Sequence, residues 1–222
     1  MTYIFEYWKL FLQKKVEFFF VIFFIVGFAG TITPLTRQLF IKLFPVAVLL
    51  SFSAILLFQS ANYTIKTITV LVMIGMLGFA IEVAGVNTHL IFGCYKYGNT
   101  LGIKLFNTPL LIGINWMMLS YSGSATTENF PIPVSMKIIF ASLIMLFYDI
   151  FLEQLAPVLD MWHWDNSVVP VRNYIAWFLI ALFLQTLIKF TGIKIQNSIA
   201  SKIILMQVTY FISLIVFFKL TE

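Results

Sequence analysis

Cysteine and charged residues are both scarce in this chain of 222 residues. Its single cysteine, Cys94, excludes an internal disulfide, and the sequence contains no CxxC pair and no Cys/His cluster with the spacing of metal ligands. Charged residues make up 10% of the chain, against about 25% in an ordinary soluble domain. We therefore expect no disulfide framework, no metal site and no water-soluble domain.

Phosphate-binding glycine loops, long linkers and repeats are missing as well. No loop of the dinucleotide-binding type is present, so we expect no nucleotide cofactor. No linker is long enough to separate domains, which predicts one integral membrane domain over residues 1–222. We find no convincing internal repeat, which weighs against transporter folds built from duplicated halves.

The positive net charge does not indicate nucleic acid as a partner. The chain carries fourteen Lys and Arg against nine Asp and Glu, a formal charge of +5. The basic residues are scattered singly between apolar stretches rather than gathered on one face, which is typical of topology signals in membrane proteins. Their distribution gives a weak preference for a cytoplasmic amino terminus.

Apolar residues are in large excess. They make up 61% of the chain, its mean hydropathy is +0.98, and a soluble core of this size cannot hide so much apolar surface. A helix needs about 20 apolar residues to cross a bilayer. Seven segments qualify or nearly qualify, at about 16–33, 41–58, 67–88, 104–121, 135–156, 171–191 and 199–219. The sequence predicts an all-α, polytopic transmembrane bundle of about seven helices, with six as the alternative, in the lipid bilayer of a cell membrane.

Three acidic residues fall inside these apolar spans. An ionised Asp at the centre of a span costs about 2.5–3.5 kcal/mol, so such residues normally face a bundle interior or a water-filled cavity. Asp149 and Glu153 are four residues apart, which stacks them on one helix face, and Glu82 lies late in the third span. Because two close carboxyl groups disfavour joint ionisation, we expect one of them to hold a proton that it can donate. A purely structural polar network is the alternative.

Topology gathers the distinctive polar and aromatic residues at one side of the membrane. Odd-numbered spans end, and even-numbered spans begin, on the same side, whichever way the protein is oriented. Besides the three acids, the residues that meet there are Asn87, His89, Tyr95, Lys96, Tyr97, Asn115, Trp162, His163, Trp164, Asp165, Arg172 and Asn173. An interfacial aromatic belt is the alternative explanation for the tryptophans, Trp177 included.

Ordered sequence blocks run through most of the chain. They are Glu82-Val-Ala-Gly-Val-Asn87, Phe92-Gly93-x-Tyr95-x-Tyr97-Gly98-x-x-Leu101-Gly102-x-Lys104, Pro109-Leu-Leu-Ile-Gly-Ile-Asn115-Trp116, Asp149-Ile-Phe-Leu-Glu153, Trp162-x-Trp164, Pro170 and Asn173-Tyr-Ile-Ala-Trp177. In this order and spacing they resemble the CruF-type carotenoid biosynthesis family. The match also touches Gly27, Gly30 and Pro34, so it spans roughly residues 27–180, while the last span is generic. The sequence departs from the family pattern at His89, where a glycine is expected.

The resemblance implies a membrane-embedded carotenoid hydratase. Such an enzyme adds water across the terminal 1,2 double bond of an acyclic ψ-end group, in lycopene, γ-carotene or a similar carotenoid, and forms a tertiary 1-hydroxy carotenoid. Proton transfer to the less substituted carbon leaves a tertiary cation, which water captures. The electron count does not change, so no cofactor is required. Asp149 or Glu153 is the expected acid, and the other carboxylate or Glu82 accepts the proton of the attacking water.

The predicted substrate-binding residues share the polar side of the bundle. They are Asn87, Tyr95, Tyr97, Asn115, Trp162, Trp164, Asn173 and Trp177. The π faces of Trp162, Trp164 and Tyr95 are expected to stabilise the cation, by about 2 kcal/mol or more when desolvated. The amides of the three asparagines are expected to hold the water.

Two other functions are compatible with the sequence. In a proton- or cation-coupled transporter, the three acids would relay protons or bind cations. In a non-catalytic assembly subunit, the chain would present carotenoid to other carotenoid biosynthesis enzymes. A retinal-binding pigment is close to excluded, because its Schiff-base lysine lies deep in the last span, whereas Lys202 and Lys219 lie near the two ends of this one. The sequence leaves open which carotenoid is used, whether one or both ends react, and the oligomeric state.

Overall fold

A computed structural model of the protein describes residues 2–221, with the side chains of residues 11–221. Its helices are α1 (Thr2–Ile32), α2 (Arg37–Lys42), α3 (Phe44–Leu57), α4 (Ile65–Thr88), α5 (Leu110–Glu128), α6 (Val134–Leu155), α7 (Val171–Thr191) and α8 (Ser198–Thr221). Each of the seven predicted apolar segments corresponds to helical structure. The predicted all-α membrane bundle is confirmed.

Five helices in the described part of the chain are long and apolar enough to cross a membrane, namely α1, α4, α6, α7 and α8. The second predicted segment is broken at Leu43, between α2 and the 14-residue α3. Pro45 stands in the first turn of α3, where its fixed φ and missing N–H are tolerated. The fourth segment was predicted from residue 104, but its helix begins at Leu110, because residues 104–109 form a short hairpin.

Helix α5 lies at the centre of the bundle, where it packs against α3, α4, α6, α7 and α8. Because other helices surround it, α5 needs little apolar surface toward lipid, and it buries Ser120, Ser122 and Ser124 in its middle. These buried serines explain why α5, although 19 residues long, is less apolar than the five helices that can cross a membrane. Large apolar side chains on the outer faces of the other helices are exposed, such as Ile25 and Leu205, as expected for a surface that meets lipid.

Two short antiparallel ladders lie in the loops of one end of the bundle. Strand β1 (Tyr95–Tyr97) pairs with β4 (Trp162–Trp164), and β2 (Lys104–Leu105) pairs with β3 (Thr108–Pro109). Since β1 follows α4 and β4 follows α6, the β1–β4 ribbon joins the loop after Glu82 to the loop after Asp149 and Glu153. The acids of two separate helices therefore meet under one ribbon.

Candidate active site

The β1–β4 ribbon turns four aromatic side chains toward the bundle. Three pairs of residues face each other along it, namely Tyr95 and Trp164, Lys96 and His163, and Tyr97 and Trp162. Because successive side chains of a strand point to opposite faces, the aromatic pairs share the inner face and the middle pair is exposed outside. The Tyr-x-Tyr and Trp-x-Trp patterns thus each place two hydrogen-bond donors toward the interior.

Asp160 anchors the outer side of this ribbon. Its Oδ1 lies 3.0 Å from Nε2 of His163, and its Oδ2 accepts a hydrogen bond from the backbone N–H of Asn99 at 3.0 Å. These two contacts hold the pKa of the Asp160 carboxyl below its usual value. Gly98 lies directly against the Asp160 carbonyl, and a Cβ at this position would collide with it. The glycine that follows Tyr97 is therefore required for the close approach of the two loops.

Glu82 is buried on α4 and uses both carboxyl oxygens. Its Oε2 accepts hydrogen bonds from the hydroxyls of Tyr95 at 2.7 Å and Tyr97 at 2.8 Å. Its Oε1 accepts from Nε1 of Trp116 at 3.2 Å. A carboxyl group inside an apolar bundle is tolerated when its oxygens have such partners. The donors come from the ribbon and from α5, so Glu82 fixes the ribbon onto the helices.

Glu153 and Asp149 are linked through Asn173 of α7. The Asn173 Nδ2 group donates to Glu153 Oε1 at 3.0 Å and to Asp149 Oδ2 at 3.3 Å. The second oxygen of Glu153 accepts from the indoles of Trp162 at 2.9 Å and Trp164 at 2.7 Å. By contrast, Oδ1 of Asp149 is buried and forms no hydrogen bond with any residue from 11 to 221. A buried carboxyl oxygen without a partner is rare, and this one distinguishes Asp149 from Glu82 and Glu153.

The three carboxyl groups line one cavity of about 40 Å³. This volume has room for about one or two water molecules. Ten of the eleven predicted site residues line it, and they are Glu82, Tyr95, Tyr97, Asn115, Asp149, Glu153, Trp162, Trp164, Asn173 and Trp177. Within residues 2–221 no group of three His, Cys, Asp or Glu residues is arranged to hold a metal ion. The cavity therefore offers carboxyl, amide and aromatic groups for binding and proton transfer.

Asn87, the eleventh predicted residue, lies outside this cavity. Its amide donates to the backbone carbonyls of Val83 at 2.7 Å and Phe106 at 3.0 Å, and its Oδ1 accepts from Asn107. It lines a separate polar pocket, which also contains His89, Lys96, Lys104 and Asn107. Asn87, in the last turn of α4, thus binds the loop at Phe106 and Asn107, and its predicted contact with the reacting water stays a prediction.

Tyr95 and Tyr97 separate the acid cavity from this outer polar pocket, since both residues line both spaces. Burial of the two phenols, and then the proximity of the Glu82 carboxyl, raises the pKa of each above its usual value. At neutral pH they are therefore protonated and act as hydrogen-bond donors to Glu82.

Two cavity residues with side chains that can form hydrogen bonds, Trp116 and Tyr148, were not predicted from the sequence. Trp116 donates to Glu82 and stacks on Trp177, with ring centroids 4.0 Å apart and planes 17° apart. Its place beside Asn115 in a family-like block was a signal that could have identified it. Tyr148, which precedes Asp149, also lines the cavity. Nothing in the sequence distinguishes Tyr148 from the other aromatic residues of the apolar spans.

His89 lies in the left-handed conformation that ends α4. Its φ is 60° and its ψ is 8°, and its N–H donates to the Gly85 carbonyl at 2.9 Å. Glycine is the usual residue in this position after a helix, because it has no Cβ to clash. This explains the glycine of the family pattern. The His89 carbonyl accepts from Arg172 Nη2 at 3.0 Å, so its backbone still joins α4 to α7.

Comparison with known families identifies the chain. It matches the family model described as carotenoid biosynthesis protein over residues 43–222. The match starts later than the resemblance read from the sequence blocks and continues through α8, and it includes every residue that lines the acid cavity. Comparisons with curated proteins and with solved structures gave no match. Its role is in carotenoid biosynthesis, with a carotenoid-related substrate. The predicted resemblance is confirmed, and the chain belongs to the family of carotenoid biosynthesis proteins.

Proposed function

We propose that the protein is a carotenoid hydratase, which adds water to the terminal 1,2 double bond of an acyclic ψ-end group and forms a tertiary 1-hydroxy carotenoid. The observation that carries this proposal is that Asp149, whose Oδ1 has no hydrogen-bond partner within residues 11–221, lines one cavity with two further carboxyl groups and several aromatic rings. Hydration of an alkene requires an acid, a shielded cation and a positioned water. The cavity offers candidates for all three.

Asp149 is the proposed acid. Both oxygens of Glu82 and of Glu153 accept hydrogen bonds from side chains, whereas Asp149 has one oxygen bound to Asn173 and one free. A proton on the free oxygen can pass to the less substituted carbon of the double bond when that carbon lies within hydrogen-bond reach. The new C–H bond forms as the π bond breaks, and the positive charge moves to the tertiary carbon.

Aromatic rings are the proposed stabilisers of this cation. The Trp116–Trp177 stack and the ring pair of Tyr95 and Trp164, with centroids 4.9 Å apart, both line the cavity. A desolvated cation over the face of an indole or phenol gains about 2 kcal/mol or more. The low exposure of these rings also keeps bulk water from the cation.

The water is the remaining reactant. The Asn115 side chain lines the cavity and makes no hydrogen bond within residues 11–221, so its amide is available to hold a water. The water oxygen bonds to the tertiary carbon, and one of its protons passes to Glu153. Glu153 and Asp149 share the Asn173 amide, and return of a proton from Glu153 to Asp149 restores the starting state. The reaction adds one water and consumes no other reagent.

Expression in bacteria that already make lycopene or γ-carotene tests this proposal. We expect chromatography and mass spectrometry to show a pigment heavier by one water and bearing a tertiary hydroxyl. The Asp149→Asn protein, present in the membrane in equal amount, is the control and should leave the pigment unchanged. Unchanged pigment with the wild-type protein in the membrane would contradict hydration and favour an accessory role.

A further inference from the structure

An apolar groove leads from the outer surface of the bundle to the acid cavity. It lies between α1, the α2–α3 segment and α8, and has a volume of about 110 Å³. Phe44, Val48 and Tyr148 line both the groove and the acid cavity. These three side chains therefore form the boundary between the two spaces.

The two ends of this groove differ in exposure. Val26 and Leu43, at one end, are exposed apolar side chains on the outside of a membrane bundle, and we expect them to meet lipid. Val48, Tyr148 and Phe211, at the other end, are buried. The break between α2 and α3 falls at Leu43, so the outer end opens where the helix is interrupted. The groove thus runs from side chains that we expect to meet lipid to side chains that also line the acid cavity.

The groove lining suits a flat apolar chain. Seven of its thirteen lining residues are aromatic, among them Phe24, Phe40 and Phe211. Two buried polar side chains also line it. Oε1 of Gln207 has no hydrogen-bond partner among the described side chains, and the hydroxyl of Tyr148, a residue only 1% exposed, makes no hydrogen bond there either. Because aromatic and aliphatic side chains dominate the lining, the groove suits a conjugated hydrocarbon better than a polar ligand.

We propose that this groove binds the polyene chain of the substrate, whose acyclic end passes Val48 and Tyr148 to reach Asp149. The inference rests on the proposed function. A carotenoid is dissolved in the hydrocarbon of the bilayer, so entry from the lipid spares it a passage through water. A conjugated chain also presents a π face along its length, against which the aromatic rings of the groove can pack. The remainder of the chain stays in lipid beyond the outer end.

A bulky residue at position 48 tests the proposal, with the same substitution at position 46 as its matched control. Val48 is 4% exposed at the inner end of the groove, whereas Val46, on the same helix, is 55% exposed and outside it. Val48→Trp and Val46→Trp are each placed in the Asp149→Asn protein, which should bind substrate without converting it. Each protein is purified in mild detergent from lycopene-producing cells, and visible absorbance per protein measures the retained carotenoid.

We expect at least a tenfold loss of retained carotenoid with Val48→Trp and none with Val46→Trp, at equal unfolding temperature. If Val48→Trp fails to fold, Ala47→Phe, which narrows the groove before the boundary, should reduce retention at least threefold. Equal retention by the two tryptophan variants would overturn the proposal and leave the groove to a lipid acyl chain. Absence of carotenoid from the Asp149→Asn protein itself would also overturn it.

The two proposals fail in different ways. One outcome is that the Asp149→Asn protein retains carotenoid, that Val48→Trp abolishes this retention, and that the wild-type protein hydrates none. This outcome would support the groove and contradict the hydratase. If the wild-type protein hydrates carotenoid and the Val48→Trp protein does so equally fast, the result would support the hydratase and contradict the groove.

Discussion

Two buried polar clusters contact different parts of α5, and they differ in chemistry. The acid cluster consists of Glu82, Asp149, Glu153 and Asn173 and lies near the first half of α5 under the β1–β4 ribbon. The neutral cluster consists of Gln59, Tyr121 and Asn197, toward the other end. There the Tyr121 hydroxyl donates to Gln59 Oε1 at 2.6 Å and accepts from Asn197 Nδ2 at 3.0 Å.

The neutral cluster uses its hydrogen bonds to join helices. Oδ1 of Asn197 accepts from the backbone N–H groups of Ile199 and Ala200, which caps α8, and its Nδ2 also donates to the Ile55 carbonyl of α3. One amide atom, Gln59 Nε2, lacks a partner in the described part of the chain, but the cluster contains no carboxyl group. The comparison teaches that buried polarity alone does not indicate chemistry. The acid cluster differs from the neutral one in having a buried carboxyl oxygen, Oδ1 of Asp149, without a partner in the described part of the chain.

Substitution of Asp149 should have the largest effect. Asp149→Asn keeps the size of the side chain and removes the acidic proton, so we expect hydration to fall by at least about 100-fold, as general acid catalysis typically contributes 10²–10⁴-fold. The amount of protein in the membrane and its unfolding temperature in detergent should stay near wild-type values. Hydration within a few-fold of wild type would show that the acid cluster is structural, like the neutral one.

Removal of the indole donors to Glu153 should have the next largest effect. Trp162→Phe and Trp164→Phe each remove one hydrogen bond to a carboxyl group, which is worth about 1.5–3 kcal/mol, and each should slow hydration about tenfold or more. If the indoles act by positioning Glu153, adding either change to Glu153→Gln should cause little further loss. Additive losses would mean that the indoles act independently of Glu153.

Tyr121→Phe tests the neutral cluster. The change removes one donated and one accepted hydrogen bond, and bonds between membrane helices are worth about 0.6 kcal/mol on average, so we expect a destabilisation of about 1 kcal/mol. Thermal unfolding in detergent should report this loss, while the hydration rate per folded protein stays unchanged. A slower hydration rate at an unchanged unfolding temperature would contradict the view that the neutral cluster acts only in stability.

His89→Gly should have the smallest effect. A left-handed conformation costs a residue with a Cβ about 1–2 kcal/mol, and the greater freedom of glycine in the unfolded chain offsets part of the gain. We expect a stabilisation of about 0.5 kcal/mol in the same unfolding assay, with activity retained. A lower unfolding temperature would mean that the His89 side chain makes a stabilising contact in the loop.

Much of the fold and most of the site followed from the sequence, because apolar length and buried acids have strong physical consequences. The surplus of apolar residues required a membrane bundle, and the topology of the spans placed Glu82 on the same side as Asp149 and Glu153. Ten predicted site residues line one cavity for this reason. The alternating Tyr-x-Tyr and Trp-x-Trp patterns were visible, but nothing in the sequence indicated that they pair as strands.

The remaining features depend on tertiary contacts. The start of α5 at Leu110 is set by a hairpin that leaves no periodic signal, whereas the break at Leu43 lies just before Pro45, which the sequence shows. Trp116 reaches Glu82 because Gly78 on α4 admits its side chain, where a Cβ would collide. Asn87 was grouped with the site by its position at the end of the third span, but its amide binds backbone carbonyls of α4 and of the following loop instead.

The most direct test of the hydratase account follows the atoms of water into the product. Purified wild-type protein in lipid vesicles is given lycopene in ¹⁸O-labelled water, and in a second experiment in deuterium oxide, beside the Asp149→Asn protein. The account predicts one ¹⁸O in the tertiary hydroxyl, one deuterium on the neighbouring carbon, and neither label with Asp149→Asn. A hydroxylated product without ¹⁸O, or equal labelling by the Asp149→Asn protein, would contradict it.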